Sequence, residues 1–260
     1  RLDAALAGAG RPVRALLRAS PDNPLGRVLA AEEIAAALAW AERAGLHVVV
    51  DEVYALSVFG ARPFTSCARV LPALGEWVHV VWAFSKDLAA SGLRCGVLFS
   101  ENRVVMDAVG ALAEWACCSG DTQHLLGAMI GDDAWADGYV ATMRERLGAA
   151  YRRVAAALDR EGIAYLPSEA GFFLLCDLRR HLPAPTWEGE RALWRRLLEE
   201  TGVNLTPGSA CRAGEPGCMR LCFAGVATGV AEHAVRAVGR ALRGCTLPGR
   251  GCVEGRACPG

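Results

Sequence analysis

The chain contains the stretch Trp77-Val78-His79-Val80-Val81-Trp82-Ala83-Phe84-Ser85-Lys86-Asp87. Residues 77–83 form a nearly continuous apolar run, which predicts a buried strand that ends just before Lys86. Another apolar strand, over 46–50, ends on Asp51 and follows a helical pattern over 32–44 that Gly45 closes. Short apolar runs over 13–17 and 96–99 predict two more strands. Strands that alternate with helices in this way predict an α/β fold, with a mostly parallel sheet covered on both faces.

The second half of the chain has a different pattern. Helical spacing continues over 103–117 and 123–130, and then over 135–159 in a longer helix that we expect to be bent or joined near its middle. Strands over 172–177 and 219–223 and helices over 187–200 and 229–242 follow, which indicates a smaller α+β domain. We predict domains at 1–138 and 139–244, with the boundary near Gly138. Residues 245–260 are rich in Gly, Cys, Pro and Arg and predict a disordered tail.

Composition excludes several classes of protein. The 28 basic and 28 acidic residues cancel, so neither nucleic acid nor an anionic membrane surface is an expected partner. The longest apolar stretches, 79–84 and 171–176, are far shorter than the roughly 20 residues that a membrane-spanning helix needs. Eleven cysteines are an odd number without a CxxC pair, and Cys211, Cys218 and Cys222 lack metal-ligand spacing and a nearby histidine. We therefore expect a reduced, cytoplasmic protein that binds no metal.

Lys86 is the only lysine among the 28 basic residues. A composition heavy in Ala, Arg and Gly suggests that arginine replaced lysine wherever a positive charge was sufficient. Arginine cannot replace a lysine whose deprotonated amine must attack a carbonyl, because a guanidinium stays protonated. Lys86 is thus a candidate for Schiff-base chemistry. The alternative is a surface lysine that survived by chance.

Polar residues follow the ends of three predicted strands: Asn23, Asp51 and Lys86. Ligands of open parallel sheets bind beyond the carboxyl ends of the strands, so we expect these side chains at one rim. A carboxylate such as Asp51 can hold a pyridine nitrogen protonated, which makes that ring an electron sink of the kind that a pyridoxal cofactor supplies. Tyr54 and Asn23 could donate to the 3-oxygen of the same ring. The alternative for Asp51 is a helix N-cap.

Two arginines are further candidates. Arg94 follows Lys86 by eight positions, and we place it on the next strand, where its planar fork would suit a phosphate. The alternative interpretation is that Arg94 is an ordinary surface arginine. Arg220 lies inside an apolar strand, where a buried charge needs a partner. A substrate α-carboxylate would fit, and an internal salt bridge is the alternative.

The sequence resembles pyridoxal-5′-phosphate enzymes of fold type I, the aspartate aminotransferase superfamily, and is most similar to 1-aminocyclopropane-1-carboxylate synthases and their animal synthase-like homologues. The similarity covers about residues 13–243. Its motifs are Asn23-Pro24-Leu25-Gly26, Asp51-Glu52-Val53-Tyr54-Ala55, Ser85-Lys86-Asp87-Leu88, Gly92-Leu93-Arg94-Cys95-Gly96, Pro207-Gly208-Ser209 and the run from Glu215-Pro216-Gly217 to Phe223-Ala224. Each motif alone is weak, but their order and spacing together are specific.

The resemblance implies a role for each candidate residue. The catalytic residue would be Lys86, which would form the Schiff base with pyridoxal phosphate and later move the α-proton. Cofactor binding would also involve Asp51 at the pyridine nitrogen, Asn23 and Tyr54 at the 3-oxygen, and Arg94 and Ser85 at the phosphate. Arg220 would bind the substrate carboxylate. The substrate would be an amino acid or an S-adenosylmethionine-like molecule, the reaction would be transamination or a lyase reaction, and the parent protein would be a homodimer.

The chain departs from the family pattern in two ways. Ala83 stands where many members have a phosphate-binding serine, and the loss of one hydroxyl would weaken binding by about 1 kcal/mol. The glycine-rich phosphate loop, the aromatic residue that stacks on the ring and the tyrosine donated across the dimer would all lie upstream of Arg1. We therefore expect an N-terminally truncated chain with a partial large domain and an exposed sheet edge. The alternative function is a truncated product or pseudoenzyme without turnover.

Overall fold

The computed structural model describes residues 2–244, in two compact units. The first unit comprises the residues up to Asp22, Val28–Val58 and Arg62–Ala141, and the second comprises Asn23–Arg27, Phe59–Ala61 and the residues from Thr142 onward. The domain that we predicted from the sequence includes all of residues 1–138. In the structure, residues 23–27 and 59–61 belong instead to the second unit. The tail predicted over 245–260 lies outside the described residues.

The first unit contains a four-stranded sheet of order β1-β2-β3-β4. Strands β1, β2 and β3 are parallel, and β4 runs antiparallel to β3. The strands are β1 (Ala15–Ala19), β2 (His47–Asp51), β3 (Val78–Ala83) and β4 (Gly96–Ser100). The helices are α1 (Leu2–Ala7), α2 (Ala31–Arg43), α3 (Cys67–Val70), α4 (Phe84–Asp87), α5 (Arg103–Ala116) and α6 (Gly120–Ile130). Helix α7 (Asp133–Glu161) is continuous over its whole length, so the joint expected near its middle is absent, and the division between the units falls within it.

The core of the first unit forms between α2 and the inner strands. Helix α2 buries Ile34, Leu38 and Ala41, which share one helical face, against Val48 and Val50 of β2. Gly45 ends the helix region at φ +63°, a backbone conformation that favours glycine. This packing fixes the direction in which β2 delivers Asp51.

The second unit is an α+β arrangement. Its antiparallel sheet has the order β5-β6-β8-β7. The elements are β5 (Ala164–Leu166), β6 (Phe173–Asp177), α8 (Trp187–Thr201), β7 (Thr206–Pro207), β8 (Cys218–Cys222) and α9 (Thr228–Arg243). Leu158, Leu174, Leu197, Met219 and Val235 lie in the core between this sheet and the helices.

Several apolar side chains of the first unit remain exposed. Within the described residues, β1 and β4 are the edge strands, and Leu17 and Phe99 on them are more than half exposed. Helix α5 buries none of its residues, and Trp115 near its end is 89% exposed. The helices therefore cover the inner strands, and the expected cover over both faces does not extend to the edge strands. No helix within residues 2–244 is long and apolar enough to cross a membrane.

Candidate active site

The carboxyl ends of two parallel strands define one edge of the first sheet. Asp51 is the last residue of β2, where it pairs with Val81 of β3. Because β4 is antiparallel, its first residue, Gly96, pairs with Ala83 at the end of β3. Asp51, the α4 turn that follows β3, and the residues just before β4 therefore lie at the same edge, where ligands of such sheets bind.

Lys86 lies on α4, a single helical turn. Phe84, Asp87 and Leu88 share one face of this turn and are all buried, whereas Ser85 and Lys86 are half-buried on the other side. The Lys86 ammonium makes neither a hydrogen bond nor an ion pair with any other described residue. Its Nζ is thus free to react with a ligand.

Asp51 keeps one carboxylate oxygen available. Its Oδ1 accepts a hydrogen bond from the Val53 amide at 3.0 Å, and Oδ2 has no donor within residues 2–244. A turn rather than a helix follows over residues 53–56, so Asp51 caps a turn and the helix N-cap interpretation does not apply. Tyr54 lies in this turn and is 5% exposed. Its role at a 3-oxygen stays a prediction.

Arg94 does not lie on a strand as expected. It lies between the short 3₁₀ turn Ser91–Leu93 and β4, at φ +52°, and its side chain is exposed. Its Nη1 donates to the Ser91 carbonyl at 2.9 Å, which leaves the rest of the guanidinium without a partner in the described part of the chain. The Ser85 hydroxyl has no partner there either. These two groups can still bind an anion.

Asp87 is a site residue that our sequence analysis did not single out. It is fully buried, and its carboxylate accepts hydrogen bonds from Ser57 Oγ at 2.5 Å and from the Leu56 amide and Trp82 Nε1 at 2.9 Å each. Burial raises the pKa of Asp87, although these donors act in the opposite direction. The sequence does contain a signal that could have identified Asp87: it is an acidic residue next to Lys86 in an otherwise apolar stretch.

Arg220 lies on β8 of the second unit and has several neutral partners. Its Nη1 donates to Asn23 Oδ1 at 2.7 Å and its Nη2 to Thr206 Oγ1 at 3.2 Å. The guanidinium carbon lies 5.3 Å from the centre of the Phe173 ring, a cation–π arrangement. Arg220 forms no ion pair with any residue of the range 2–244, so the internal salt-bridge alternative is wrong for that range.

The loop that carries Asn23 is anchored within the second unit. The Gly26 carbonyl accepts hydrogen bonds from the amides of Glu169 and Ala170 at 2.9 and 3.0 Å. Gly26 has φ +63°, and a Cβ there would lie 2.0 Å from Ser168 Oγ and 2.5 Å from the Ala170 carbonyl. Since Asn23 Oδ1 faces Arg220, its amide nitrogen remains available as a donor.

A buried acid supports the strand that carries Arg220. Glu190 is fully buried, and its carboxylate accepts from the Ser209 amide at 3.0 Å and from the Gly217 amide at 2.7 Å. Ser209 belongs to the Pro207-Gly208-Ser209 motif, which begins at the end of β7. Gly217 ends the Glu215-Pro216-Gly217 motif and directly precedes β8. Our sequence analysis missed Glu190 because nothing in the pattern of α8 distinguishes it from the helix's other acids.

The donor set fits the groups of pyridoxal phosphate. A free amine matches its aldehyde, the unoccupied Oδ2 of Asp51 matches its ring nitrogen, and the Ser85 hydroxyl and Arg94 guanidinium match its phosphate. The described residues thus form an α/β fold with a lysine amine and a carboxylate at the strand ends of the first unit, and with an arginine that has no ion-pair partner among them on β8 of the second.

Comparison with known proteins gives the family. The sequence model of the family described as Aminotransferase class I and II matches residues 1–238. The chain is 36% identical over 241 residues to 1-aminocyclopropane-1-carboxylate synthase 6 of Oryza sativa subsp. japonica, covering 91% of this chain and 44% of that protein. It is 36% identical over 256 residues to synthase 4 of the same organism, with 90% and 52% covered. The chain therefore belongs to the aminotransferase class I and II family.

A solved structure has the same fold. The aromatic aminotransferase of Pyrococcus horikoshii OT3 superposes with a TM-score of 0.82 and 23% identity, over 94% of this chain and 63% of that one, which shows the shared fold. Members of the family are pyridoxal-phosphate enzymes of fold type I, so both the fold class and the cofactor class expected from the motifs are confirmed. The chain spans about half the length of the curated relatives it matches.

Proposed function

We propose that this chain belongs to a pyridoxal-phosphate-dependent enzyme that acts on an α-amino acid and carries its cofactor on Lys86. The observation that carries the proposal is the sole lysine, which lies at the carboxyl edge of a parallel sheet with its amine free of other described residues. A lysine amine that makes no contact with protein groups is available to form a Schiff base with an aldehyde.

Four side chains of the first unit would hold the cofactor besides Lys86. Asp51 would accept the ring N–H through Oδ2, and the hydroxyl of Tyr54 would reach the 3-oxygen. Ser85 and Arg94 would bind the phosphate. The bound cofactor supplies an electron sink for negative charge at the substrate α-carbon. A carboxylate at the ring nitrogen strengthens that sink, because it keeps the nitrogen protonated.

Lys86 would have a second task. With cofactor and substrate bound, the Lys86 Nζ would accept the proton from the substrate α-carbon and return it to another atom. No other lysine can take over this task.

The second unit would contribute recognition of the substrate. Arg220 is held by Thr206, Asn23 and the Phe173 ring, none of which neutralises its charge. A guanidinium held in this way can bind an α-carboxylate bidentately. With its Oδ1 turned to Arg220, Asn23 could donate its amide to the 3-oxygen of the cofactor.

Two reactions are compatible with these groups. The curated relatives are named as 1-aminocyclopropane-1-carboxylate synthases, which favours a lyase reaction on an S-adenosylmethionine-like substrate. The solved aminotransferase has the same fold, which favours transamination. We propose the lyase first, because identity to the synthases is the higher of the two. A cytoplasmic homodimer is part of the same proposal.

The test of the proposal is covalent capture of the cofactor. Borohydride reduction of the chain with pyridoxal phosphate should attach the cofactor to the peptide that contains Lys86, and peptide mass spectrometry locates it. Lys86→Arg keeps the charge and should abolish attachment, because a guanidinium is not nucleophilic. Attachment that persists in Lys86→Arg, or that occurs only on the N-terminal amine, would contradict the proposal. Capture without turnover of any amino acid would favour the pseudoenzyme.

A further inference from the structure

Asp87 has an unusual environment for a carboxylate. It is fully buried in the first unit, and its partners are two obligate donors, the Leu56 amide and Trp82 Nε1, together with the Ser57 hydroxyl. No cation is paired with it within residues 2–244. A buried carboxylate without a cation is costly, so a contribution to stability alone does not account for it.

The hydrogen bonds of Asp87 join two segments of the site. Leu56 and Ser57 directly follow the turn that contains Tyr54 and begins at Asp51, and the Ser57 amide donates to the Tyr54 carbonyl at 3.0 Å. Asp87 itself belongs to the α4 turn that carries Lys86. Its hydrogen bonds therefore connect the Asp51–Tyr54 segment to the lysine turn across 30 positions of sequence.

The α4 turn depends on such anchors. Four residues are too few to form a stable helix in isolation. Phe84 and Leu88 anchor the buried face by apolar packing, which leaves a turn free to rotate or slide. The hydrogen bonds that Asp87 accepts from Leu56, Ser57 and Trp82 restrict rotation as well, and Lys86 is the residue next to Asp87.

We propose that Asp87 is a positioning residue, which fixes the lysine turn to the Asp51–Tyr54 segment and so sets where Lys86 presents its amine. The inference rests on the proposed function, since a fixed amine matters because Lys86 binds the cofactor. Asp87 acts through Lys86 and does not touch the cofactor itself.

The experiment compares Asp87→Ala with Asp87→Asn and with Leu38→Ala. Leu38 is buried in the α2 core of the same unit, away from the lysine turn, and serves as the control for destabilisation alone. Asn can accept from the Leu56 amide and Trp82 and donate to Ser57, so it should preserve the turn. Two readouts are used: affinity for pyridoxal phosphate by borohydride trapping, and the rate at which trinitrobenzenesulfonate labels Lys86 in the cofactor-free protein.

Asp87→Ala should lower cofactor affinity by about tenfold or more, because the hydrogen bonds that preorganise the amine are lost. The same variant should label faster at Lys86, since the released turn exposes the amine. Asp87→Asn should resemble the wild type in both readouts. Leu38→Ala should also resemble the wild type in both, even though it lowers the unfolding temperature about as much as Asp87→Ala does. Wild-type behaviour of Asp87→Ala, or equal losses in Asp87→Ala and Leu38→Ala, would overturn the proposal.

Two further outcomes remain decisive. If Asp87→Ala does not fold, Ser57→Ala and Trp82→Phe each remove one donor and should show part of the same loss, and unchanged affinity and labelling in both would overturn the proposal. If the wild type does not capture pyridoxal phosphate, the proposed function fails. The labelling rates then still show whether Asp87 fixes the position of Lys86.

Discussion

At the scale of single residues, the candidate site contains polar groups that make no contact with described protein groups and so remain available to a ligand. The Lys86 amine and Asp51 Oδ2 are free of donors and acceptors within residues 2–244, although both residues are only half-exposed. Residues that hold other parts of the site in place behave differently: Asp87 and Glu190 each accept hydrogen bonds from protein donors with both carboxylate oxygens. This contrast separates candidate ligand-binding residues from residues that support them.

The role of Asp51 can be tested by substitution. Asp51→Ala should leave pyridoxal phosphate bound but lower turnover about a hundredfold, the size expected for the loss of a charge-assisted hydrogen bond of ~3 kcal/mol. Asp51→Glu should retain more activity, because it keeps the carboxylate. Steady-state kinetics at saturating cofactor measure both variants. Wild-type turnover of Asp51→Ala together with a lowered unfolding temperature would mean that the carboxylate only caps the turn at Val53.

At the scale of elements, apolar periodicity was sufficient for the long segments. It located α2, β2, β3, α5 and α9 to within a few residues, because apolar side chains recur at helical spacing or in continuous runs along each of them. It failed where local spacing carries no signal: β5 and β7 are too short, and the position of Arg94 before β4 depends on a left-handed turn. The partners of Asp87 and Glu190 were not predictable, because they come from segments distant in sequence.

The sheet of the first unit contains an acid-sensitive group at the edge opposite to Asp51. His79 on β3 is 4% exposed, with Nε2 lying 2.9 Å from His47 Nδ1 and Nδ1 lying 2.7 Å from Ser100 Oγ. Burial, and secondarily the nearby His47, lowers the pKa of His79. Below pH 6.5, the ordinary value, the unfolded chain then binds more protons than the folded one, so the stability of this unit should fall as the pH falls.

This pH dependence can be measured by thermal unfolding between pH 7.5 and 5.5. The slope from one such group is at most about 1.4 kcal/mol per pH unit. His79→Gln should reduce the loss of unfolding temperature on acidification, whereas His124→Gln, which changes an exposed histidine of the same unit, should not. An equal loss in wild type and His79→Gln would show that other groups cause the acid sensitivity.

At the scale of the whole molecule, the residues proposed for the two tasks belong to different compact units, apart from Asn23, which lies in the second unit and is proposed for the cofactor. Lys86, Asp51, Ser85 and Arg94 lie in the first, which would hold the cofactor, and Arg220 lies in the second, which would recognise the substrate. Each set is supported by a buried acid of its own unit, Asp87 in the first and Glu190 in the second. Cofactor attachment and substrate affinity should therefore respond to separate substitutions.

Arg220→Lys tests this separation. A lysine offers a single point charge and cannot keep the contacts to Asn23 and Thr206 while it binds a carboxylate bidentately. The loss of a charge-assisted hydrogen bond costs about 1.5–3 kcal/mol, so affinity for α-amino acids should fall about ten- to a hundredfold. Titration of the cofactor absorbance with S-adenosylmethionine and with a panel of α-amino acids measures this change, and borohydride trapping at Lys86 should stay at the wild-type level.

Two controls make the Arg220 result specific. Arg153→Lys is the same substitution at an exposed arginine of the second unit, where the partner is Glu232, and should leave affinity unchanged. Amines that lack the α-carboxylate should bind wild type and Arg220→Lys equally, because the lost contact involves only that group. If Arg220→Lys instead lowers cofactor trapping as much as amino-acid affinity, Arg220 supports the fold rather than the substrate, and the two tasks are not divided between the units.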